Sequence, residues 1–125
     1  MTGKAGKMRV FVTRQIPQVG LDMLEEHFEV TVNPYDRVLT EEELIEGVTD
    51  AHGLLCLLTD DITSQVMDAS PYLKVISNYA VGYNNIDVAA ATQRGIPVTN
   101  TPGVLTDATA DLAWALIMSV GRRIV

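Results

Sequence analysis

A chain of 125 residues has room for one domain with a real core and not for two. Sixteen acidic against nine basic side chains leave a net charge of −7, which removes the basic surface that nucleic acid or an anionic membrane would need. A hydrophobic share of 47% with 20% charged residues is ordinary for a water-soluble α/β protein, and no apolar run reaches the roughly 18 residues of a membrane span.

The start, residues 1–7, is polar and reads as a loose tail with no secretory signal. Met8 to Val12 (MRVFV) is the first predicted strand. Pro17 and Gly20 bracket the following turn, and Leu21, Leu24 and Phe28 fall on one face of a helix that carries Glu25 and Glu26 outward. Val30 to Val32 forms a brief second strand, ended by Asn33–Pro34. Thr40 and Glu43 have the spacing of a capping box, so the second helix starts there and buries Leu44, Ile45 and Val48.

Leu54 to Leu58 (LLCLL) is apolar throughout, as expected of a strand covered on both faces in a parallel sheet. Cys56 lies inside it and reads as a small buried hydrophobe; being the single cysteine it makes no internal disulfide, which fits a reducing cytoplasm. Thr63 caps a short third helix reaching Ala69, Leu73 to Ser77 is the fourth strand, and Asn78 to Asn85 is a loop holding one glycine, Gly82. Asp87 opens a fourth helix that Gly95 closes, and Ile96 to Thr99 is the fifth strand. Five strand–helix repeats predict an α/β fold: a flavodoxin-like, doubly wound parallel five-stranded sheet of order 2-1-3-4-5, with helices on both faces. The core domain is expected over residues 8–103.

The last stretch, residues 104–125, departs from the pattern. Thr106 or Asp107 caps a long helix whose Leu112, Leu116 and Val120 fill one stripe while Trp114 and Met118 fill a neighbouring one. A helix apolar nearly all round is a buried one, and a single sheet leaves its far side bare. It packs against another chain, or it leads into a second domain.

Self-sufficient catalytic sets are missing. His27 and His52 have no carboxylate or nucleophile at dyad spacing, no Cys/His cluster has metal-ligand spacing, and neither G-x-G-x-x-G nor a P-loop occurs. Asp60–Asp61 follow the third strand, where a receiver domain carries its phosphoacceptor. The acidic partners needed after the first strand are replaced by Thr13–Arg14, which argues against that reading. The loop Tyr79–Ala80–Val81–Gly82–Tyr83 belongs at the carboxyl ends of the strands, where doubly wound sheets bind small ligands. Gly82 admits two readings: a tight turn only, or a glycine tolerant of positive φ beside consecutive N–H groups that cradle a carboxylate or phosphate.

The segment NYAVGYNNIDVAAATQRGIPVTNTPGVLTDATADLAWALIMSVGRR resembles the N-terminal part of the D-isomer-specific 2-hydroxyacid dehydrogenases, nearest to the glyoxylate and hydroxypyruvate reductases. VFVTRQIP, LDMLEEHFEV and LLCLLTDDI fit the same family. Asn84 stands where these enzymes more often have aspartate. The resemblance implies an oxidoreductase that reduces a small 2-oxo acid to the 2-hydroxy acid with NAD or NADP. It implies that the Val81 and Gly82 N–H groups hold the substrate carboxylate, with Ala80 beside them and Leu58 packed near the substrate. Thr106 would lie against the cofactor, and residues 104–125 would form the hinge helix to a dinucleotide-binding domain. The family's dinucleotide fingerprint and its catalytic arginine, glutamate and histidine lie beyond Val125, so the piece is expected to be inactive alone, with no catalytic residue of its own and no metal. The alternative is a stand-alone module that binds small carboxylates or self-associates without catalysis. A homo-oligomer formed through the apolar helix is expected in either case.

Overall fold

The computed structural model of the protein describes residues 6–103, 112–115, 117 and 118. Among the described residues the elements run β1 Arg9–Val12, α1 Gln18–Glu25, β2 Glu29–Val32, α2 Glu41–Val48, β3 Gly53–Leu57, α3 Ser64–Asp68, β4 Val75–Tyr79, α4 Val88–Gln93 and β5 Val98–Thr99. The strands form one sheet of order β2-β1-β3-β4-β5, parallel at each pairing, as the alternation predicts.

Alternate side chains sort onto the two faces, as the two-residue period of a strand requires. Phe11, Leu54, Cys56 and Ile76 point to the side covered by α2, α3 and α4, where they meet Leu44, Val48, Val66, Met67, Ala90 and Ala91. Val10, Val12 and Leu55 point the other way, to Leu21 and Leu24 of α1 and to Phe28 just beyond it. Helices thus lie on both faces, but unevenly. On the α1 side Val75 and Tyr79 of β4 remain exposed, and a hollow of about 190 Å³ opens among Met8, Leu24, Phe28, Leu55 and Val75.

Helix starts follow the sequence closely. The Thr40 hydroxyl accepts from the Glu43 N–H at 3.2 Å while the Glu43 carboxylate accepts from the Thr40 N–H at 2.8 Å, a complete capping box. The Thr63 and Asp87 side chains cap α3 and α4 by accepting from the N–H groups of Val66 and Ala90. α1 instead begins after Pro17 with no side-chain cap.

β3 is shifted back by one residue from its expected place, to Gly53–Leu57, and β4 and β5 depart further. β4 lies two residues further on than Leu73–Ser77, in register with β3 so that Val75 pairs with Gly53 and Tyr79 with Leu57. Apolar content does not end this strand, because buried Asn78 has hydrogen-bond partners that let it continue. β5 loses Ile96 and Pro97. Gly95, at φ +68°, closes α4 in a Schellman motif, with its N–H donating to Thr92 O and the Ile96 N–H to Ala91 O, so these residues finish the helix first.

Of residues 104–125, only 112–115, 117 and 118 are described, and these are helical. Their apolar side chains Leu112, Trp114, Ile117 and Met118 are between 43% and 65% exposed. Thr106, Leu116 and Val120 lie outside the described residues. No helix among the described residues is long and apolar enough to cross a membrane.

Candidate functional site at the carboxyl edge of the sheet

A parallel sheet delivers the carboxyl ends of all its strands to one edge. Here that edge gathers Thr13 after β1, Leu58 and Asp60 after β3, residues 80–85 after β4, and Asn100 and Thr101 after β5.

Asn78 is 1% exposed and anchors the loop from below. Its Nδ2 donates to Gly82 O at 2.8 Å and to Asn85 Oδ1 at 3.0 Å. Asn85 Nδ2 in turn donates to Leu57 O and Asp60 O, each at 3.0 Å, so the loop is pinned to the end of β3. Asp60, also buried, accepts from the Leu57 N–H at 2.8 Å and from the Thr13 hydroxyl, which ties β3 to β1. Its carboxylate therefore serves as a joint between strands. Cys56 donates its thiol to Asn78 Oδ1 at 3.4 Å. Burial, reinforced by the nearby Asp60 charge, pushes this thiol up to about 12, so it stays protonated and unreactive at neutral pH.

The loop carbonyls are held one by one. Ala80 O accepts from the Thr101 N–H at 2.9 Å, Val81 O from Asn100 Nδ2 at 2.7 Å, and Gly82 O from Asn78. In a trans peptide the C=O of one residue and the N–H of the next point in opposite directions. With the Ala80 and Val81 carbonyls drawn toward residues 100–101, the N–H groups of Val81 and Gly82 face away from them. Among the described residues neither N–H has an acceptor. Leu58 overhangs the same loop, its Cδ1 lying 3.8 Å from the place a Gly82 side chain would begin.

The structure therefore brings Leu58, Ala80, Val81 and Gly82 together. It corrects two expectations about them. Leu58 is the first residue after β3, which ends at Leu57, and is 56% exposed. Gly82 is not in the left-handed region; Gly95 and Gly103 are. A glycine at position 82 leaves the donors uncovered without relieving backbone strain. Sequence reasoning missed Asn78 and Asn100, although an amide in the last turn of an apolar strand, or directly after one, is the available signal.

His52 accepts from the Arg9 N–H at 3.0 Å and packs on Tyr72, while His27 sits exposed beside Glu26. Among the described residues no three metal-ligating side chains cluster. The mostly apolar hollow beside α1 is lined at the amino ends of β3 and β4, by His52, Gly53, Lys74 and Val75, and so lies at the sheet edge opposite the loop.

Fold and edge define a doubly wound α/β domain with a donor-bearing loop beyond its fourth strand. Residues 10–120 match the family model of the D-isomer specific 2-hydroxyacid dehydrogenase catalytic domain, and the chain belongs to that family. It is 54% identical over 117 residues to a glyoxylate reductase of Thermococcus kodakarensis, covering 94% of this chain and 35% of that protein. A glyoxylate reductase of Korarchaeum cryptofilum is 53% identical over 119 residues, covering 95% and 36%. Among solved structures, a Thermus thermophilus protein superposes with a TM-score of 0.80 at 47% identity, covering 94% of this chain and 38% of that one. An NADPH-dependent glyoxylate/hydroxypyruvate reductase of Sinorhizobium meliloti, solved with NADP and malonate, gives 0.70 at 33% identity, covering 91% and 34%. The chain spans about a third of the length of the curated relatives it matches.

Proposed function

We propose that this chain is the substrate-binding part of an NAD(P)-dependent glyoxylate/hydroxypyruvate reductase, which converts a small 2-oxo acid to the 2-hydroxy acid. The observation that carries the reading is the pair of main-chain donors at Val81 and Gly82 that have no acceptor among the described residues, held outward by the partners of the loop carbonyls. Two N–H groups match the two oxygens of a carboxylate, and hydrogen bonds to a charged acceptor are the stronger kind. Ala80 shapes the approach, and Leu58 covers the bound acid and keeps water from its far side.

The described residues do not by themselves make a dinucleotide cradle. The β1–α1 turn, Thr13 to Pro17, contains no glycine to let a pyrophosphate approach a helix N-terminus. Any contact with NAD or NADP from this chain falls to Thr106 and the rest of residues 104–125. The 125-residue chain alone binds the acid weakly and turns over nothing, and its apolar helix drives self-association.

Titration of the nitrogen-15-labelled chain with glyoxylate, followed by NMR, tests the site. The amides of Val81 and Gly82 should shift most, saturably, and hydroxypyruvate should move the same resonances. Shifts spread evenly over the surface, or centred elsewhere, would dismiss it. Glyoxylate-dependent oxidation of NADH or NADPH by the same purified chain would refute its expected inactivity.

A further inference from the structure

Each of the three loop carbonyls is held by a different kind of partner. Ala80 O takes a main-chain N–H, from Thr101, and no side-chain substitution removes that bond. Gly82 O takes the amide of Asn78, which is buried and cross-linked to Asn85. Among the described residues the middle carbonyl, Val81 O, has one partner, the half-buried side chain of Asn100. That peptide is also the one whose N–H belongs to Gly82.

We infer that Asn100 is a positioning residue: its side-chain amide sets the orientation of the Val81–Gly82 peptide and so presents the Gly82 N–H to the substrate carboxylate. The inference rests on the proposed reading of the site. Gly82 is exposed and lacks a side chain, so little else resists rotation of this peptide once the Asn100 bond is lost. A turned peptide points the carbonyl oxygen where the carboxylate must sit, replacing an attraction with a repulsion. Asparagine suits the position because its amide is a neutral donor. An aspartate there would set a carboxylate oxygen against the Val81 oxygen and turn the peptide the wrong way. Asn100 and Thr101 also stand a few residues before position 104, so two of the loop's three clamps come from the segment that leads into residues 104–125.

The test uses the labelled 125-residue chain with glyoxylate as probe. Asn100→Ala should shift the Val81 carbonyl carbon resonance and leave distant amides in place. Loss of one neutral hydrogen bond should weaken the glyoxylate Kd by roughly three- to ten-fold. Asn100→Asp should weaken it further. Thr99→Ala serves as control, because it breaks the 2.8 Å Ser77–Thr99 hydroxyl contact between β4 and β5 without touching the loop, and its Kd should equal the unmodified chain's. An Asn100→Ala chain that binds glyoxylate as tightly as the unmodified one overturns the inference, as does an equal loss in Thr99→Ala. If the unmodified chain shows no shift at Val81 and Gly82, the carboxylate reading itself fails and takes this inference with it, a result distinct from either of those.

Discussion

Gly47 sits in the middle of α2, where a glycine ordinarily weakens a helix. Replacing it with alanine should by propensity alone stabilise the protein by about 1 kcal/mol. The structure reverses that expectation, because a Cβ at position 47 would overlap the Phe11 ring, which is buried in the core between the sheet and the helices. Overpacking of this kind costs about 1–3 kcal/mol, so the steric effect exceeds the propensity gain. Gly47→Ala should lower the urea midpoint, whereas Gly82→Ala, whose new methyl meets Leu58 at an ordinary 3.8 Å, should leave it nearly unchanged. A higher midpoint for Gly47→Ala would show that Phe11 has room to move. Single residues also mark the limit of what the sequence discloses about the site. That Val81 and Gly82 stand in a loop beyond the fourth strand is legible from the sequence, whereas Leu58, expected inside the third strand, lies just after it. The roles of Asn78, Asn85 and Asn100 are not legible, since an amide can serve almost any acceptor, and only the folded chain decides which carbonyls come within reach.

Elements were legible where a local rule fixes them and were displaced where two rules compete. The α2 start follows from Thr40 and Glu43, and the ends of α4 from Asp87 and Gly95. β5 is shorter than its apolar run because the α4 cap uses Ile96, and β4 extends into polar residues because their partners lie outside the strand. The capping box has one participant that its spacing does not reveal. Arg37 grips Glu43 with two bonds of 2.8 and 2.7 Å. That grip, helped by the Thr40 N–H, holds the Glu43 carboxyl at about 2 against an ordinary 4.5. A carboxyl lowered in the folded state stabilises the fold above its unfolded value, and the benefit disappears as pH falls from 4.5 through about 2. Asp68, lowered by Arg94, acts in the same direction, so a difference between two proteins isolates Glu43. The gap in Tm between the unmodified chain and Glu43→Gln should therefore be widest near neutrality and close across that window, and added salt should narrow it, since the pair is partly solvent-exposed. A gap independent of pH would mean that the carboxylate's charge contributes nothing to the cap.

For the molecule as a whole the question is where its uncovered apolar surface goes. Among the described residues α2, α3 and α4 cover one sheet face and α1 the other, and Val75 and Tyr79 are exposed, as are Leu112, Trp114, Ile117 and Met118 of the helical residues beyond β5. The all-round apolar character of that last stretch was readable from its spacing, but the uneven cover of the sheet was not, because it depends on which side each crossover takes. Burying a large apolar side chain completely stabilises by about 1.5–3 kcal/mol. The four helical side chains are roughly half exposed, so each still has about 1 kcal/mol to gain, and a symmetric pair of chains gains about 8 kcal/mol. Association costs an estimated 4–15 kcal/mol in lost freedom of motion, so gain and cost are of the same size. The isolated 125-residue chain should therefore associate weakly and reversibly, its mass by light scattering rising from that of one chain at low micromolar concentration toward that of two in the submillimolar range. Replacing both Trp114 and Met118 with glutamate removes the two side chains of one stripe and sets like charges against each other across the contact. That variant should keep the mass of a single chain at every concentration, with unchanged Val81 and Gly82 resonances. If the unmodified chain stays a single chain throughout the range, the helix is not a contact surface between copies, and if the double variant associates as strongly, the contact lies on the bare half of the sheet instead.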